Sequence, residues 1–101
     1  MNKKALVKYR HDDERGLMHY VVFNGDVVVM SKYESKKVAY IEQNGSLDVT
    51  FDISTNNFAP VKIEVVTDDE YVMSVYNYMI ETNNAYFLDG TEELCVLKFA
   101  K

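Results

Sequence analysis

Seven consecutive residues, Ser31-Lys32-Tyr33-Glu34-Ser35-Lys36-Lys37, hold the densest set of groups able to do chemistry in this chain. Both serines are of a type that caps a helix, and Lys36 and Lys37 would fall in the first turn of a helix begun there. The free backbone N–H groups of such a terminus attract anions, and the helix dipole adds to the attraction. Lysines oppose that dipole at this end. Their placement makes sense if a phosphate or carboxylate sits among them. Solvated lysines beside ordinary caps are the plainer reading of the same spacing. Glu34 counts against a bound anion unless its carboxylate is turned away.

Other reactive types are scattered. His19 falls between Met18 and Tyr20 in an apolar run, where a half-exposed strand residue is the plain reading and a ligand contact the functional one. His11 with Asp12, Asp13 and Glu14 offers metal-donor types. Consecutive turn residues point in different directions, so a solvated turn and no metal site is expected. Cys95, the one cysteine, lies in an apolar run without a neighbouring histidine and reads as a buried thiol rather than a nucleophile. Among eight tyrosines, Tyr33 and Tyr40 are nearest the 31–37 segment and could wall a ligand; the others suit core edges or an interface. The stripe Tyr71, Tyr76, Tyr78 and Met79 suits helix packing. No Ser-His-Asp order, paired-carboxylate spacing or diagnostic glycine-rich loop occurs, so no catalytic residue is identified.

Period and punctuation define the elements that must position these groups. Residues 5–10 read as a strand, the polar segment 11–16 as a hairpin turn closed by Gly16, and 17–23 as a second strand. Asn24-Gly25 separates that strand from a third over 27–30, since both residues tolerate the positive φ of a type I′ turn. Ser31-x-x-Glu34 has the form of a capping box, with Ser35 a second candidate cap, for a helix over 36–42 that buries Val38 and Ile41. Asn44-Gly45 ends it. Leu47, Val49, Phe51 and Ile53 alternate with polar residues as a fourth strand, and Val61, Ile63 and Val65 as a fifth. Thr67-x-x-Glu70 is a second capping box, opening a helix that packs Val72, Val75, Tyr76, Met79 and Ile80 and breaks at Asn83-Asn84. Residues 86–88 read as a short extended piece, and 94–99, after Asp89-Gly90, as a sixth strand. The order β-β-β-α-β-β-α-β lacks βαβ alternation. It predicts a mainly β (α+β) fold, an antiparallel sheet closing into a small barrel with two helices over its open ends.

Composition bounds the function classes. The 101 residues suit a single domain, and 48% hydrophobic residues are too many for a disordered chain. Eleven Lys+Arg against sixteen Asp+Glu leave a net charge of −5, which repels phosphate backbones, so no nucleic-acid partner is expected. One cysteine excludes an internal disulfide framework. No apolar run approaches the roughly 20 residues that span a bilayer, and no signal peptide is evident. A cytoplasmic protein without a membrane partner is the expectation.

Residues 27–51, VVVMSKYESKKVAYIEQNGSLDVTF, resemble the pyridoxamine 5′-phosphate oxidase-like, FMN-binding split-barrel proteins. In that family a strand ends in Thr or Ser, a Ser-x-Lys segment opens a short helix, and Glu-x-Asn precedes a strand of alternating apolar residues. Ser31, Ser35-Lys36-Lys37 and Glu42-Gln43-Asn44 stand at those places. Asp13-Glu14-Arg15-Gly16 is similar to the family's Asp-x-x-Gly turn. The resemblance implies a six-stranded antiparallel split β-barrel over residues 1–101, with FMN as cofactor. It implies that Lys37 ion-pairs the FMN phosphate with support from Lys36, that Ser31 and Ser35 hydrogen-bond it, and that Met30 lies against the flavin through its backbone. It further implies a homodimer with the ligand in inter-subunit clefts, and flavin-dependent oxidoreductase activity on a substrate the residues do not name. The family's second strand often carries an Arg, frequently followed by Pro, that grips the phosphate. Residues 17–23 have neither, Arg15 lies across the turn, and His19 is the partial substitute. A cofactor-free split-barrel dimer acting as a binding or stress-associated interaction module is the alternative. Oxidase activity that forms pyridoxal phosphate is not expected, because it relies on a basic C-terminal segment and this chain ends at Phe99-Ala100-Lys101.

Overall fold

The computed structural model describes residues 6–81 and 93–100; the helix break at Asn83-Asn84, the extended piece at 86–88 and the Asp89-Gly90 turn lie outside them. Seven strands and two helices follow in the order β1 (Leu6–His11), β2 (Glu14–His19), β3 (Val21–Phe23), β4 (Asp26–Lys32), α1 (Lys36–Asn44), β5 (Ser46–Thr50), β6 (Ala59–Val66), α2 (Asp69–Glu81) and β7 (Leu94–Phe99). All pairings are antiparallel, in the spatial order β2-β1-β5-β6-β7-β4-β3.

Six strands are expected and seven are present among the described residues, because the 17–23 segment is two strands. Its first part pairs with β1 and its second with β4, and Tyr20 alone separates them. These two strands are also the opposite edges of the sheet. A sheet whose edges are joined by one residue must curl round on itself, so the half-barrel curl follows from connectivity. Tyr20 packs edge-on against Phe51 with ring centroids 5.2 Å apart.

The interior cluster joins Val7, Met18, Val29, Leu47, Val49, Ile63, Cys95, Leu97 and Phe99 from six strands with Val38 and Ile41 of α1. A second cluster sets Val28, Met30 and Val96 against Val72, Val75, Tyr76 and Met79 of α2. Side chains alternate across a strand, so α1 caps the interior while α2 covers the outer face of β4 and β7 and not an open end. That explains the unbroken burial of residues 28–31 and 95–97, and it leaves Ile80 exposed on the far side of α2. Among the described residues no helix is long and apolar enough to cross a membrane.

Several boundaries differ from the expected ones for local reasons. Only Asp12 and Asp13 form the first turn, and Arg15 and Gly16 belong to β2. Asn24 and Gly25 both have positive φ, 51° and 83°, as a type I′ turn requires. Ser31 lies inside β4 and caps nothing; Ser35 is the cap, its Oγ accepting from Val38 N at 3.2 Å. Gly45 closes α1 at φ 74°, donating from its N–H to Ile41 O. Asp68, not Thr67, caps α2, its Oδ2 accepting from Tyr71 N at 3.0 Å. The strand expected to run through Ile53 stops at Thr50, because the Asp52 carboxylate accepts bonds from Ser54 N and Ser54 Oγ and turns the chain. Phe51 and Ile53 are exposed in consequence.

Candidate functional site

β2 and β4 are not hydrogen-bonded to each other, and the barrel is split between them. A cavity of about 100 Å3 lies at this seam, lined by Leu17, Met18 and His19 of β2, Val29 and Met30 of β4, Lys37 of α1 and Met79 of α2. Three of the six residues singled out in the sequence, His19, Met30 and Lys37, thus meet at one place. The volume exceeds the ~10–15 Å3 that admits one water and falls short of the ~300–1,000 Å3 of ordinary ligand clefts. Its room is that of one end of a larger molecule.

Lys37 is half-buried, and its Nζ lies 5.1 Å from the centroid of the Tyr9 ring. Desolvation holds its pKa below the ordinary lysine value. Among the described residues no carboxylate lies within ion-pair distance of it. Tyr9 reaches this position because its register partner is Gly16. A Cβ on Gly16 would stand 2.8 Å from the Tyr9 hydroxyl oxygen, so the missing side chain is what lets the ring lie across β2. Beneath the site Cys95 is fully buried, as expected, and burial pushes its thiol up to about 11 despite the opposing field of Lys37. It is protonated at neutral pH.

The other three candidates go elsewhere. Lys36 is exposed, its Nζ 3.7 Å from Glu14 Oε1 on the first hairpin, because successive helical residues project about 100° apart. Ser31 is buried, its Oγ 3.4 Å from Ser35 Oγ, and the Ser35 hydroxyl is engaged by the α1 backbone. The pair sits at the N-terminus of α1, outside the cavity lining. Tyr33 is exposed, its hydroxyl donating to Glu42 Oε2 at 3.3 Å. Arg15 faces a separate groove with Lys8 and Ile53. Residues that sequence reasoning missed are Tyr9, Met18 and Met79. Only Gly16, which admits Tyr9, carries a signal, and its place after a polar run points to a turn.

His11 departs most from expectation. A solvated turn is the expectation, yet His11 is buried, its ring stacked on Tyr9 at 5.8 Å and tilted against Tyr40 at 5.2 Å. Among the described residues no three His, Cys, Asp or Glu side chains converge at metal-holding distance.

No protein-family model matches the chain, and no curated protein matches it by sequence. Among solved structures it is similar to a Listeria innocua protein named "Putative Pyridoxamine 5'-phosphate oxidase", with a TM-score of 0.63 at 11% sequence identity, over 94% of this chain and 80% of that one. At that identity the likeness is one of fold: this chain folds as that protein does, a curled antiparallel sheet with two helices.

Proposed function

We propose that the chain is an FMN-binding split-barrel protein, a single cytoplasmic domain over residues 1–101 that works as a homodimer, with the flavin phosphate held at Lys37. The observation that supports this reading is the state of Lys37, a desolvated ammonium facing a cavity with no carboxylate beside it among the described residues. A charge withdrawn from water is costly until an opposite charge meets it. A phosphate monoester carries close to two negative charges at neutral pH, and the cavity has room for that group.

Lys37 would supply the charge, with His19 and Met30 as walls of the same cavity and Ser31 and Ser35 as hydroxyls at the α1 terminus. Lys36, tied to Glu14, would add only long-range positive potential. Bound FMN would supply hydride and electron transfer, making the protein a flavin-dependent oxidoreductase. The chain's part is to bind the phosphate, orient the ring and exclude water. The cavity is too small for the ring system, so that part of the ligand lies outside, in a cleft completed by a second copy. A cofactor-free dimer acting as an interaction module is the second reading. Arg15 favours it, because it faces another groove and leaves Lys37 the one Lys or Arg lining the cavity among the described residues.

Titration with FMN and with riboflavin, followed by flavin fluorescence, separates the two. FMN should bind at least about tenfold more tightly, a 1.4 kcal/mol preference, and Lys37→Ala should abolish that preference. Equal or absent binding of both overturns the flavoprotein reading. A monomer in sedimentation at micromolar concentration overturns the dimer.

A further inference from the structure

A groove of about 300 Å3 opens beside β2, lined by Lys8, Arg15, Gly16, Leu17, Ile53 and Asn56. Register explains its make-up. Val7 of β1 faces the core, so Lys8 and Arg10 leave the outer face of the same strand. Lys8 pairs with Leu17 and Arg10 with Arg15 across the first hairpin, which gathers three cations and one leucine on that face. Two arginines set directly opposite repel each other. Arg10 is answered by Asp48, its register partner on β5, with Nη2 3.5 Å from Oδ2. Arg15 is not. Among the described residues no carboxylate lies within ion-pair distance of Arg15 or Lys8.

Lys8 is held in place without being neutralised. Its Nζ donates to Asn56 Oδ1 at 3.0 Å and to Ile53 O at 3.4 Å, both uncharged acceptors on the loop after β5. Asp52 of that loop lies within reach of its field, but the Asp52 carboxylate is engaged by Ser54 N and Oγ. The ammonium keeps one N–H to spare. Leu17 and Ile53 stand exposed along the same groove. In a chain of net charge −5, this face concentrates positive charge beside apolar surface.

We infer that this groove binds a small organic carboxylate with an aliphatic body, its charged end between Lys8 Nζ and the Arg15 guanidinium and its chain laid on Leu17 and Ile53. A guanidinium takes a carboxylate through two parallel hydrogen bonds, and Arg15 is exposed and can turn to make them. The apolar walls favour an anion that brings apolar surface with it, since an inorganic ion would leave them in water. The groove stands at the lower end of the ~300–1,000 Å3 of ordinary ligand clefts, which suits a short chain. It shares only Leu17 with the Lys37 cavity and does not depend on flavin binding.

Titration of the whole chain with hexanoate, followed by the NMR amide and methyl signals, tests it. The expected result is a saturable shift of the Arg15, Leu17 and Ile53 signals, weakened by added salt. Hexanamide keeps the chain and loses the charge, and acetate keeps the charge and loses the chain. Each should bind at least about tenfold more weakly than hexanoate. Arg15→Gln, on the surface, should weaken hexanoate binding at least about tenfold. Asn56→Asp sets a carboxylate beside Lys8 Nζ and should do the same without disturbing the fold, while Lys37→Ala should bind hexanoate as before. The inference is overturned if no saturable shift occurs up to tens of millimolar hexanoate, or if hexanamide or acetate binds as well. It is equally overturned if binding survives Arg15→Gln with Asn56→Asp, or if the shifts fall on His19, Met30 and Lys37 instead.

Discussion

The Lys37 ammonium sits 5.1 Å above the Tyr9 ring, on the side of the barrel where β2 and β4 part. This contact joins the first turn of α1 to β1 and directs the lysine inward. An aromatic face offsets part of the cost of taking an ammonium out of water. It leaves the charge unneutralised, and the lowered pKa of Lys37 expresses the remainder.

Replacing that ammonium by an apolar chain of similar length should therefore stabilise the free protein. Lys37→Met is expected to raise stability by about 1 kcal/mol, within the range of single stabilising changes, while abolishing the preference for FMN over riboflavin. Urea unfolding at pH 7 measures the first effect. The gain should shrink as pH rises toward the ordinary lysine pKa. A lysine whose folded pKa is lowered binds fewer protons folded than unfolded, so raising pH through that window restores stability to the unaltered protein.

Gly16 should tolerate no side chain while Tyr9 keeps its place. Gly16→Val puts a Cβ 2.8 Å from the Tyr9 hydroxyl oxygen and should cost about 1–3 kcal/mol, as overpacking does. Combining it with Tyr9→Ala should recover part of that loss. A double-mutant cycle by urea unfolding gives the coupling, and additive effects would rule out the contact.

The α2 cap can be assigned by two substitutions. Asp68→Ala should destabilise by about 1 kcal/mol through loss of the bond to Tyr71 N. Thr67→Ala should stay within roughly 0.5 kcal/mol of no change. Thermal unfolding of the pair decides which residue begins the helix.

Cys95 should resist alkylation by iodoacetamide at pH 8 in the folded protein and react fully in denaturant, since the thiol is buried and pushed up to about 11. An acid whose folded pKa lies above its unfolded value holds its proton longer when folded. Its contribution is whole below the ordinary thiol pKa of 9.0 and is lost as pH rises toward about 11. Cys95→Ala should flatten that part of the alkaline fall in the urea midpoint, measured against the unaltered protein.

Features that rest on residues a few positions apart were legible in the sequence. Asn24-Gly25 demands two positive φ angles and has them, Gly45 takes the left-handed position that ends α1, and Val38, Ile41, Val72 and Val75 fall on the buried helix faces. Alternation placed Leu47, Val49 and Ile63 in the core. Steric and hydrogen-bond requirements within one turn or one strand decide such matters. The antiparallel, mainly β character follows from their sum.

What distant partners decide was not legible. Residues 17–23 have an unbroken strand composition, and only pairing with β1 on one side of Tyr20 and β4 on the other divides them. The acidic neighbours of His11 in sequence predict a solvated ring, yet Tyr40, far along the chain, packs against it. Lys36 and Lys37 are adjacent in sequence and part in space, one to Glu14 and the other over Tyr9. Sequence alone determined that cations and hydroxyls gather where a strand gives way to a helix. Tertiary structure decided which cation is withdrawn from water, because desolvation depends on whatever packs around a group, and here that is supplied by β1, β2, β4 and α2 together.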